Sequence, residues 1–122
     1  MLIKCDETQD GVVYHLVGGL EHLAVGQFHE AVGQFSKKKH IVFELSGVPC
    51  VDSVGLGALI HAVRRTHRMG GEAVVSGANP AVKKWVEIVA IPRTVNMFDN
   101  LTAAQAHFRD ASDGVNPDRR AA

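Results

Sequence analysis

The sequence predicts an α/β fold: one domain built on a mixed sheet of about five strands with four helices. Three observations predict it. Short β-branched runs alternate with segments whose apolar residues recur at helical spacing. An Asp-Gly turn signal separates the first two runs and makes them a hairpin. The run Ile41-Val42-Phe43-Glu44-Leu45 is nearly all apolar, as a central parallel strand covered on both faces would be. Pattern alone leaves the strand order open.

The elements follow in chain order. Leu2 to Cys5 and Val12 to Val17 read as strands joined through Thr8-Gln9-Asp10-Gly11, and the Val12 to Val17 strand is expected to be buried on both faces. His15 is read there as a core or edge histidine, not a ligand. Gly18-Gly19 stops the strand. From Leu23 to Lys37 the residues Val25, Phe28, Val32 and Phe35 mark a helix, weakened at Gly26 and Gly33 by roughly 1 kcal/mol each. His22 and His29 could share a face of it, but without a carboxylate or third ligand at matching spacing no metal site is expected. Lys37-Lys38-Lys39 reads as a solvated helix end whose cations oppose the dipole.

After the central strand, Ser46-Gly47-Val48-Pro49 reads as a loop. Leu56, Leu59, Ile60 and Val63 then form one helical stripe, with Arg64, Arg65 and Arg68 off it and Met69-Gly70-Gly71 as the stop. Glu72 to Ser76 is the next strand. Asn79 caps the next helix, with Pro80 at its first position. Its expected buried stripe is Val82, Trp85, Val86 and Val89, with Lys83 and Lys84 outward. Thr94 to Phe98 is the last strand. Thr102-Ala103-Ala104-Gln105 reads as a capping box that opens a helix to about Phe108. The domain is expected over 1–109, and the polar segment 110–122 as a flexible tail.

The chain has 122 residues, enough for one ordinary domain. Its apolar share of 46% and charged share of 21% suit a globular core and not disorder. Thirteen basic residues balance thirteen acidic ones, so no overall field draws the molecule to nucleic acid or an anionic membrane. Cys5 and Cys50 have no Cys-x-x-Cys spacing and are expected as free thiols of a cytoplasmic protein. The first residues lack the apolar stretch of a signal peptide, and no run approaches the ~20 residues needed to cross a bilayer.

No catalytic motif emerges. A nucleophile elbow needs Gly-x-Ser-x-Gly, and Val51 stands two residues before Ser53. A phosphate-binding P-loop needs Gly-x-x-x-x-Gly-Lys-Ser/Thr, of which only fragments exist. Zinc spacing and a carboxylate pair are also missing. What remains is Ser53, at the entrance to a helix whose free N–H groups suit a phosphate. An N-cap serine needs no function, but Gly55 and Gly57 are poor first-turn residues, and their bareness would leave Ser53 open to a partner's active site.

Val51-Asp52-Ser53-Val54-Gly55-Leu56-Gly57 resembles the Asp-Ser-x-Gly-Leu-Gly signature of the STAS domain, the family of bacterial anti-sigma factor antagonists. Gly70-Gly71-Glu72-Ala73-Val74-Val75 is similar to that family's glycine-led strand, and Asn79-Pro80-Ala81-Val82-Lys83-Lys84 to its Pro-x-Val helix start. The resemblance spans nearly all of residues 1 to 108. It implies helices packed mainly on one face of the sheet and a regulatory, non-enzymatic role without cofactor. It also implies partner switching between an anti-sigma factor serine kinase and a protein phosphatase, with a homodimer left open. Ser53 would be the phosphoacceptor. Asp52, Val54, Gly55, Leu56, Gly57 and Glu21 would meet the partner. An alternative is a scaffold subunit of a stress-signalling assembly, or the regulatory domain of an anion transporter. Two positions depart from the pattern: Gly19 stands where an acidic residue is usual, and Val54 where a second small hydroxyl residue is common.

Overall fold

The computed structural model describes residues 1–8, 11–33, 40–89 and 95–112, with side chains to 109 in the last helix. Five strands, β1 (Leu2–Glu7), β2 (Val12–Val17), β3 (His40–Gly47), β4 (Glu72–Ser76) and β5 (Asn96–Phe98), lie side by side in chain order. The first pair is antiparallel, a hairpin closed by Thr8 and Gly11, whose backbones bond each other at 2.8 and 3.3 Å. Gln9 and Asp10 of the expected turn lie outside the described residues. The remaining three pairings are parallel.

Parallel neighbours need crossovers, and each step moves the same way across the sheet. The crossovers are α1 (Val25–Gly33, entered through a 3-10 turn at His22–Ala24), α2 (Ser53–Arg68) and α3 (Pro80–Val89). Because the three steps share one direction and one hand, their helices stack on one face. There Tyr14, Leu16, Phe43, Leu45 and Val75 meet Phe28, Leu56, Leu59, Val63, Val82 and Val86. The alternate strand residues Val13, Val42 and Val74 face the other way and are covered by Ala104 and Phe108 of α4 (Leu101–Ser112). That two-sided burial explains why β2, β3 and β4 read as continuous apolar runs.

Several boundaries differ from the sequence reading. Ser46 and Gly47 belong to β3, since the Gly47 carbonyl accepts from Gly18 N at 2.9 Å and so prolongs the pairing. The α1 region begins as a 3-10 turn, and its expected end at Lys37 lies outside the described residues, as does Thr94. In α3, Asn79 caps as expected, its Oδ1 accepting from Val82 N at 2.8 Å. Only Val82 and Val86 of the expected stripe are buried, however; Trp85 is 55% exposed and Val89 50%. Helix α4 starts one residue before Thr102 because Asn100 is the cap, its Oδ1 accepting from Ala103 N at 2.8 Å. It runs on to Ser112, beyond the expected end at Phe108; residues 113–122 lie outside the described residues.

Candidate functional site

β3 ends at Gly47, and the chain passes through Val48, Pro49, Cys50 and Val51 before α2 begins at Ser53. This loop is pinned to the one after β2. Leu20 N donates to Cys50 O at 3.0 Å, Asp52 N donates to Leu20 O at 3.3 Å, and Leu20 and Val51 form an isolated parallel bridge. The site therefore sits at the carboxyl ends of the central parallel strands, where open α/β sheets hold their ligands.

Asp52, not Ser53, is the N-cap of α2. Its Oδ1 accepts from Gly55 N at 2.7 Å, the geometry of a capping carboxylate. Its Oδ2 accepts from His22 N at 2.8 Å, and His22 Nδ1 lies 3.2 Å away. One carboxylate thus joins the start of the 3-10 turn to the start of α2. The bonds from Gly55 N and then His22 N hold its pKa below the usual carboxylate value.

Freed of the capping role, Ser53 is the first residue of α2 and is exposed. Among the described residues nothing hydrogen-bonds its hydroxyl. The first-turn donors divide unevenly. Gly55 N is taken by Asp52 Oδ1 and Leu56 N by Asp52 O at 2.9 Å, while the Ser53 and Val54 N–H groups have no helical carbonyl to reach. An exposed hydroxyl beside two open amide donors suits an attached or bound anion.

The expected partner-facing residues separate into two sets. Val54 is 52% exposed, and Gly57 and Glu21 are also on the surface. Asp52 is half-buried and committed to its two amides. Gly55 and Leu56 are buried and cannot belong to a docking surface. Leu56 is only 2% exposed, in the core under α2, and a Cβ on Gly55 would sit 1.9 Å from Leu20 O. The bareness of Gly55 therefore serves a close backbone approach. Gly57 instead opens the surface, since a Cβ there would meet nothing within 4 Å. Sequence reasoning missed the role of His22. His22 meets Asp52 from 30 positions away, and Leu23 beside it is 89% exposed. No local pattern signals a contact so distant in sequence.

Other chemistry is not assembled here. Among the described residues no three His, Cys, Asp or Glu side chains are grouped to hold a metal ion, and no helix is long and apolar enough to cross a membrane. Cys5 and Cys50 are free thiols. A cavity of about 280 Å³, lined by Thr8, His40, Gln105 and Phe108 among others, opens at the opposite, amino ends of β2 and β3.

A mixed sheet with three crossover helices on one face, and a helix entrance carrying one free hydroxyl at its carboxyl end, defines a small α/β domain with a surface site. The chain belongs to the STAS domain family, whose model matches residues 3–104. An anti-sigma F factor antagonist from Paenibacillus polymyxa is 29% identical over 62 residues, 51% of this chain and 53% of that protein. The chain thus spans about half the length of the curated relative it matches. Among solved structures, an anti-sigma factor antagonist from Mycobacterium paratuberculosis has a TM-score of 0.80 at 20% identity, covering 89% of this chain and 94% of that one. The Bacillus cell fate determinant SpoIIAA in its phosphorylated form has a TM-score of 0.68 at 18% identity, covering 86% and 98%. At these identities the structural likeness is one of fold.

Proposed function

We propose that this domain is an anti-sigma factor antagonist that binds an anti-sigma factor serine kinase and is released when Ser53 is phosphorylated. The observation that carries the reading is the exposed Ser53 hydroxyl, free of the cap and set beside the open Ser53 and Val54 amides. The relatives that bear the antagonist name, and the SpoIIAA structure in phosphorylated form, support it. The role is regulatory and not catalytic, a phosphatase restores the hydroxyl, and the natural setting is the cytoplasm.

The switch follows from charge. A phosphate on Ser53 adds roughly −1.5 to −2 charges at neutral pH. In the free domain the helix N-terminus offsets this by about 0.3–1 kcal/mol, and Asp52 next to it opposes it. Inside a complex the dianion must be desolvated near Asp52 and any partner carboxylate, at a cost of several kcal/mol. About 1.4 kcal/mol is tenfold in affinity, so a loss of a hundredfold or more is expected without any change of fold. Val54, Gly57, Glu21 and Leu23 form the exposed surface around the hydroxyl that the partner would cover.

The test is phosphorylation by the anti-sigma factor kinases of the same organism with labelled ATP, followed by mapping of the labelled residue. Label on Ser53, lost in Ser53→Ala, is expected, together with weakened kinase binding by Ser53→Asp. Label elsewhere, or equal labelling of Ser53→Ala, overturns the reading.

A further inference from the structure

The two edges of the sheet are unlike. β5 is only three residues long, whereas β1 is six and, among the described residues, is paired on one side only. A long open edge strand is a template for another strand, and proteins blunt it with proline, a bulge, charged side chains or a covering segment. β1 has no proline and no bulge, and the charges it carries are of both signs. Leu2-Ile3-Lys4-Cys5-Asp6-Glu7 pairs with β2 in unbroken register, and its charges alternate in sign, Lys4 then Asp6, on one face.

Which backbone groups point outward follows from two observations. Thr8 and Gly11 exchange both of their backbone bonds, so in the antiparallel alternation Asp6, Lys4 and Leu2 also bond to β2. On the far side of β2, Gly18 N bonds to β3, which turns the amides of Val17, His15 and Val13 toward β1 and agrees with that phase. The amides and carbonyls of Ile3, Cys5 and Glu7 are therefore left facing outward.

We propose that β1 pairs antiparallel with β1 of a second copy of this chain, about a two-fold axis at Cys5. The outward groups admit only registers in which odd residues face odd residues. Centring the axis on Lys4 would set Lys4 against the partner's Lys4, and centring it on Asp6 would set Asp6 against the partner's Asp6. Centring it on Cys5 sets Lys4 against the partner's Asp6 and Asp6 against the partner's Lys4. These are non-hydrogen-bonded positions, where side chains come closest. The same register bonds Ile3 to the partner's Glu7 and Cys5 to its own copy, giving about six new backbone bonds and a sheet continuous through both molecules. Ile3 and Cys5 stay on the helix-covered face, where they already pack against the core. This edge lies apart from Ser53, so self-pairing does not depend on the phosphorylation reading.

The contact is narrow, which makes the dimer weak and reversible. Sedimentation equilibrium of the full chain over a wide concentration range tests it, with circular dichroism to confirm folding of every variant. The wild type is expected to shift from monomer to dimer. Lys4→Asp, which turns both Lys–Asp pairs across the axis into Asp–Asp pairs, is expected to weaken dimerisation by at least about tenfold. The double swap Lys4→Asp with Asp6→Lys is expected to restore it. Glu7→Pro removes an outward donor without touching a bond to β2, so a folded monomer is expected. A wild type that stays monomeric to about millimolar concentration, where even the weakest specific pairing registers, overturns the proposal. So does dimerisation that is unchanged in Lys4→Asp or Glu7→Pro, or not recovered in the double swap.

Discussion

Gly55 passes directly beneath Leu20, so close that a side chain on Gly55 would begin 1.9 Å from the Leu20 carbonyl oxygen and 3.0 Å from Glu21 N. The helix entrance and the loop after β2 are thus packed backbone to backbone. Asp52 locks the same two segments by accepting from Gly55 N and His22 N at 2.7 and 2.8 Å.

Two glycines of one signature should therefore respond in opposite ways. Gly55→Ala forces Leu20 away and strains both loops, with an expected loss of about 3 kcal/mol or more. Gly57→Ala fills open space on a helix surface and should stabilise by about 0.5–1 kcal/mol. Urea denaturation of the two variants measures both. Equal effects of either sign would contradict the placement of Gly55.

Ser53 and Asp52 should separate in the same manner. Ser53 caps nothing, so Ser53→Ala is expected to change stability by less than about 0.5 kcal/mol. Asp52→Asn should lower the melting temperature, because one oxygen of the double acceptor becomes a donor facing an amide. The effect depends on pH with a definite sign. The carboxyl pKa is depressed in the folded state, so its contribution is complete above the ordinary aspartate value of about 3.9 and is lost as pH falls through the lowered folded value. Thermal melts on acidification should show the wild type losing its advantage over Asp52→Asn, with the two curves converging at the acid end.

The particular residues show which parts of this molecule are legible in sequence. The bounds of β4, the stripe of α2 and the Asn79 cap rest on neighbours a few residues apart, and they match the structure. Asp52 and Ser53 are equally good caps by type, and the choice between them turns on His22, 30 positions away. The unsuitability of Gly55 for a first helical turn is visible in sequence, but its cause, a carbonyl of Leu20, is not. Leu56 belongs by spacing to the buried stripe and by the family signature to the partner surface; packing decides for the stripe. Strand order is a property of pairings between distant segments, so it emerges only in the fold.

Glu44 and Ser76 make a buried polar pair on adjacent parallel strands, 8% and 0% exposed. The Ser76 hydroxyl donates to Glu44 Oε2, and Ser46 N donates to Oε1 at 2.7 Å. Ser76→Ala leaves that carboxylate short of a donor where water scarcely reaches, at an expected cost of about 1–3 kcal/mol. Glu44→Gln keeps an oxygen for Ser46 N, and the serine hydroxyl can turn to accept from the amide, so a smaller loss is expected. Chemical denaturation of the two variants ranks them, and a harmless Ser76→Ala would refute the pairing.

Trp85 is the only tryptophan of the chain, which makes the packing of α3 directly observable. The helix rests on a narrow ridge of Val82 and Val86, 1% and 2% exposed. Trp85, off the side of that ridge, is left 55% exposed. Its fluorescence should be red-shifted and quenched by acrylamide nearly as readily as free tryptophan. Trp85→Ala should cost less than about 1 kcal/mol, whereas Val86→Ala should cost about 1–3 kcal/mol through the lost burial and the cavity left behind. A blue-shifted, shielded emission, or a Trp85→Ala variant less stable than Val86→Ala, would place the ring in the core after all.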